Sequence, residues 1–135
     1  MKKLALLAVM CISGVVSAHE FPDAKGLCAD VVKDKLQPAQ KCIISSGGGA
    51  GGMYTILQYG KSKVHIEEST MCPEYDTKGC DISVSKNDKI FGEGHSDESY
   101  YLRDYKTGKI TKSDKYSWTC VKTSNNKINT CYVIK

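Results

Sequence analysis

The chain has 135 residues, with 19 basic and 15 acidic side chains. That is enough for one domain with a modest core. Charge is nearly balanced and no block of one sign stands out, which argues against nucleic acid or an anionic membrane as the main partner.

Residues 1–18 read as a signal peptide. "MKK" is a short positive head, "LALLAVMCISGVV" an apolar stretch too short to span a bilayer stably, and "VSA" a small-x-small cleavage site. Cleavage after Ala18 leaves residues 19–135, 117 in all, and removes Lys2 and Lys3, so that 17 basic residues face 15 acidic ones. No second long apolar run follows, and the expected location is the periplasm.

The segment 21–38, "FPDAKGLCADVVKDKLQP", reads as a helix. Asp23 caps it, Leu27, Cys28, Val31, Val32 and Leu36 form a stripe, and Pro38 stops it. "KCIIS" then reads as a strand running into "SSGGGAGGMY", where five of the six residues 47–52 are glycine. "MYTILQY", a "GKSK" turn and "VHIEES" read as a hairpin. Leu57 and Tyr59 fall on one face with Thr55, and Val64 and Ile66 point inward on the return. "DISVS" alternates around Ile82 and Val84, "KND" turns into "KIFG", and "SYYLRD" is a strand followed by a "YKTGK" turn. "YSWTCVK" and "KINTCYVIK" form a terminal hairpin. Seven or eight short strands with frequent turns predict a mainly β domain. The expected form is an antiparallel β-sandwich or small barrel with one N-terminal helix.

Six cysteines remain after cleavage, an even number in an exported chain, and predict three disulfides. A two-residue turn at Asn125-Asn126 would set Cys120 opposite Cys131, with about 5.5 Å between Cα atoms for a hydrogen-bonded pair. Cys72 and Cys80 close the short loop "CPEYDTKGC", and Cys28 and Cys42 remain to pair with each other. No C-x-x-C is present, so a zinc site is not expected.

Several chemical motifs dissolve on inspection. "GGGAGG" matches G-x-G-x-x-G at Gly47, Gly49 and Gly52, but a strand follows where the dinucleotide fingerprint needs a helix. "HSDES", residues 95–99, holds the letters of a catalytic triad, yet adjacent residues in an extended chain face opposite ways, so it reads as a polar surface loop. Glu67 and Glu68 alternate faces and form no glycosidase pair. His19 becomes the N-terminal residue, and its amino group and imidazole resemble the copper brace of lytic polysaccharide monooxygenases, with His65 or His95 as a further ligand. Metal sites need at least three well-placed ligands, and no cofactor or metal is expected.

Two features remain. One is the glycine run, where Ser45, Ser46, Gly47, Gly49, Gly51 and Tyr54 form a loop that brings backbone close to a partner. The other is the disulfide-closed loop, in which Glu74, Tyr75 and Asp76 sit pre-ordered for contact. With the exported, cysteine-stapled β pattern, these features resemble the small periplasmic inhibitors of peptidoglycan-cleaving enzymes and the immunity proteins against type VI secreted cell-wall hydrolases. C-type lysozyme inhibitors of the periplasm carry a serine-glycine loop ending in an aromatic, which "SSGGGAGGMY" resembles, although "TILQYGKSKVH" follows where those proteins have a strand bearing tryptophan and lysine. The disulfide-closed loop of the vertebrate-lysozyme inhibitors is a second likeness, without its histidine. The resemblance implies a non-enzymatic protein whose loops enter the active-site cleft of a secreted peptidoglycan-degrading enzyme or toxin. Nucleic acid and membrane are not expected partners, and a homodimer is allowed. The alternatives are a small exported copper or hydrolytic enzyme, or an envelope adhesin.

Overall fold

A computed structural model describes residues 19–72 and 79–135. Residues 1–18 and 73–78 lie outside them. Twelve strands form one antiparallel sheet. They are β1 (His19–Glu20), β2 (Ala24–Val32), β3 (Lys35–Leu36), β4 (Gln40–Gly49), β5 (Gly52–Tyr59), β6 (Ser62–Ser69), β7 (Asp81–Lys86), β8 (Ile90–His95), β9 (Tyr100–Asp104), β10 (Ile110–Thr111), β11 (Ser117–Lys122) and β12 (Asn129–Ile134). The strand order is β10-β9-β11-β12-β2-β4-β5-β6-β7-β8, with β1 also on β4 and β3 also on β2. The sheet curls into a half-barrel, and a single helical turn, α1 (Ser96–Ser99), follows β8.

The expected N-terminal helix is not there. Ala24–Val32 is instead a central strand between β12 and β4. Gly26, Cys28 and Asp30 alternate with Leu27, Ala29 and Val31. Cys28 belongs to the core inside the curl, while Ala29 and Val31 belong to a second core on the outer face. A strand buried on both faces shows no period of two, so its apolar run also fits a helical stripe. Lys33 and Asp34, both at positive φ, turn the chain back into β3. β1 and β2 lie along the same edge of β4, and the register steps by one residue between them, a bulge at 21–23.

The inner core comprises Ile44, Leu57, Tyr59, Val64, Ile66, Ile82, Val84, Val121 and Ile128, packed around the Cys28–Cys42 bridge. The outer core stacks Trp118 and the Cys120–Cys131 bridge against Ala29 and Val31. Cys120 faces Cys131 as the hairpin register requires. The turn differs, however: Asn126 N donates to Thr123 O, and residues 124–127 form a four-residue loop rather than a two-residue Asn125-Asn126 turn. The Cα atoms are 4.0 Å apart, the separation of a close, non-hydrogen-bonded pair and not of the hydrogen-bonded kind. Cys72 is joined to Cys80.

The curl is closed by loops and side chains. Ser124 N donates to Glu93 O at 2.8 Å, and Asn125 Nδ2 to Phe91 O at 3.0 Å, pinning the β11–β12 loop on β8. β8 comes this close because Gly92 has no side chain; a Cβ there would lie 2.5 Å from the Thr123 Cβ. Inside, Lys86 Nζ donates to Asp30 Oδ2 at 3.0 Å and Tyr59 Oη to Asp30 Oδ1 at 2.7 Å, tying β7, β2 and β5 together.

Candidate functional site

The glycine run is not a loop. Ser45, Ser46, Gly47 and Gly49 lie in β4, Tyr54 lies in β5, and only Ala50-Gly51 turns, between paired Gly49 and Gly52. Gly51 has φ +91°, a conformation that a side chain makes costly. Gly47 serves a different need. It pairs with Tyr54, and a Cβ there would stand 2.5 Å from the Tyr54 hydroxyl oxygen and 2.6 Å from its ring. The tyrosine lies flat across the glycine, as aromatics do over strand glycines. Its ring also meets the edge of His65, with centroids 6.0 Å apart and planes at 71°. The His65 Nε2 is shielded from solvent and stands 3.2 Å from Glu67 Oε1, without the alignment of a hydrogen bond.

At one end of the half-barrel the glycine turn meets the chain that leads to the Cys72–Cys80 bridge. Thr70 N donates to Gly51 O at 3.1 Å, so the chain entering the disulfide loop is bonded to the glycine turn. Met71 reaches toward Gly51, with its sulfur 3.6 Å from where a Cβ would be. On the far side of the bridge, Cys80 N donates to Ser96 Oγ at 2.9 Å and Ser96 N to Cys80 O at 2.8 Å. The triad-like letters at 95–99 are therefore the helical turn α1 and its flank, docked on the bridge, with Ser99 buried. Glu74, Tyr75 and Asp76 lie outside the described residues.

A hollow of about 360 Å³ opens at this end, between residues 49–54 and 67–69. Met53 is half exposed and Met71 is 79% exposed, while Ala50 is open to solvent. Glu67 faces outward and Glu68 is partly buried, as strand alternation requires. Burial first, and then the Glu68 carboxylate, pushes the Tyr100 hydroxyl well above its ordinary range; the same two causes raise Tyr132. The methionine rim and the Glu68–Tyr100 contact escaped the sequence reading. Met53 and Met71 carry no motif, and Tyr100 is adjacent to Glu68 only once the sheet curls.

Among the described residues, no group of three His, Cys, Asp or Glu is placed to hold a metal ion, and the His19 side chain lies outside what is described. Asp81 Oδ1 stands 3.3 Å from His95 Nε2, a solvated pair on the outer face. No helix among the described residues is long and apolar enough to cross a membrane, and three disulfides are compatible with export.

No protein family, curated protein or solved structure matches this chain.

Proposed function

We infer that this is an exported, non-catalytic protein that binds and blocks a secreted cell-wall hydrolase, in the manner of a periplasmic inhibitor or immunity protein. The single observation that carries the reading is the Thr70–Gly51 hydrogen bond. It ties the glycine turn to the chain that leads into the Cys72–Cys80 bridge. A hairpin held on both sides, next to a disulfide, is ordered before it meets a partner and loses little entropy on binding. Small residues at its tip let backbone enter a narrow cleft, and the exposed methionines supply adaptable apolar contact. Glu74, Tyr75 and Asp76, which lie between the bridged cysteines in sequence, are the further contact residues of this reading.

The test is inhibition. The oxidised, processed protein is titrated into lysozyme-type and amidase-type wall hydrolases while peptidoglycan turbidity is followed, with calorimetry on the same pairs. Stoichiometric inhibition of one class, undisturbed by chelator, supports the reading. Hydrolysis of peptidoglycan by the protein alone, lost on chelation, would replace it with the enzyme alternative.

A further inference from the structure

At the opposite end of the sheet, roughly 25 Å along β5 from the glycine turn, two adjoining hollows form a groove of a different character. One, of about 680 Å³, is lined by Lys25, Lys41 and Lys135 around Leu27, Ile43 and Gln58. The other, of about 510 Å³, is lined by Tyr105, Asp114 and Tyr116 and shares Lys135 with the first. None of the three lysines has an ion-pair or side-chain hydrogen-bond partner among the described residues, and Asp114 is the one carboxylate side chain lining either hollow.

The aromatic end is pre-set. Tyr116 is 87% exposed and held at φ +51°, a left-handed conformation that a bulky residue adopts at a cost. Its carbonyl accepts from Tyr105 N at 2.8 Å, which fixes the two residues relative to each other. Tyr105 stacks on buried Trp118, with centroids 5.5 Å apart and planes at 21°, so its ring cannot turn freely. Flat aromatic faces beside a groove suit the apolar faces of sugar rings, and unpaired ammonium groups further along suit carboxylates or sulfates. A peptide docking by strand addition would need a free strand edge. β2, β4 and β5 are each paired on both sides and offer no edge.

We propose that this groove binds an anionic glycan. A sugar ring rests on Tyr116 and Tyr105, and acidic substituents reach Lys135, Lys25 and Lys41. The site is separate from the hydrolase-binding end and does not depend on that assignment.

The probe is a defined oligouronate, with a neutral dextran oligomer of equal length, polyglutamate and anionic phospholipid vesicles alongside, measured by calorimetry at physiological salt. Saturable binding of the oligouronate alone is expected. Tyr116→Asn keeps a residue that tolerates the left-handed backbone and should weaken binding roughly tenfold, as should Lys25→Gln combined with Lys41→Gln. Lys89→Gln with Lys127→Gln, away from the groove, should leave it unchanged. Thermal melts of each variant exclude misfolding. Absence of saturable oligouronate binding overturns the proposal. So does equal loss in the control pair, or equal binding of polyglutamate or vesicles with no effect of Tyr116→Asn.

Discussion

Glycines in this chain do different jobs, and a Cβ distinguishes them. At Gly92 it would meet Thr123, which is 1% exposed and whose Oγ1 accepts from Ile128 N at 3.2 Å. Neither side yields easily, so Gly92→Ala should destabilise by about 2 kcal/mol in urea unfolding. At Gly47 the obstacle is the Tyr54 ring, which has a route to solvent. Gly47→Ala should cost about 1 kcal/mol, and much less in a Tyr54→Ser background, because the two residues are one contact. Equal costs at the two positions would contradict the geometry.

Tyr59 gives a second residue-scale expectation. Burial, above all, holds its hydroxyl well above the ordinary tyrosine range; the Thr130 hydrogen bond opposes this and Asp30 reinforces it. A raised pKa in the fold means the unfolded chain ionises first, near pH 10. The stability Tyr59 contributes is therefore full below that pH and falls as pH rises beyond it. Tyr59→Phe should lose about 1–2 kcal/mol at pH 7 by removing the bonds to Asp30 and Thr130. It should also show a shallower fall in stability between pH 9 and 11, read by chemical denaturation across that range.

Among elements, the hairpins were the most legible and the N-terminal segment the least. Leu57, Tyr59, Val64 and Ile66 alternate because only one face of β5 and β6 is packed deeply, and that leaves a period of two in the sequence. β2 is packed on both faces and leaves none. The glycine run misled for a related reason. Its glycines make room for cross-strand neighbours such as Tyr54, which sequence cannot place, so a strand looked like a loop. The candidate site was legible as two separate stretches, but their meeting at Thr70 and Gly51 depends on how β6 pairs with β5. Turn chemistry also escaped notice where a distant side chain fixes it. Arg103, 2% exposed, donates from Nη2 to Asp34 Oδ1 at 2.6 Å and from Nη1 to Gly108 O at 2.8 Å, clamping the turns before β3 and β10 together. Arg103→Met should cost about 2 kcal/mol and speed hydrogen exchange in both turns at once. Cys120→Ala with Cys131→Ala should lower stability by about 2–3 kcal/mol without altering the hairpin's amide shift pattern.

For the whole molecule, the half-barrel separates two ends that the sequence interleaves. The early strand β2 lies beside the last strand β12, and the two hold the middle of the sheet. One end carries the glycine turn and the disulfide bridge, the other the lysine and tyrosine groove. The first end is the proposed contact surface. Gly51→Val tests it poorly, because valine at φ +91° would strain the turn itself. Gly49→Val is cleaner, since Gly49 is exposed in extended β4 and valine suits a strand. The decisive measurement is the inhibition constant of Gly49→Val against a wall hydrolase that the wild type inhibits in the titration proposed above, alongside its melting temperature. A melt within a degree or two of wild type with inhibition weakened by about thirtyfold or more is the predicted result. An unchanged melt with full inhibition would contradict the assignment of the glycine hairpin as the contact surface.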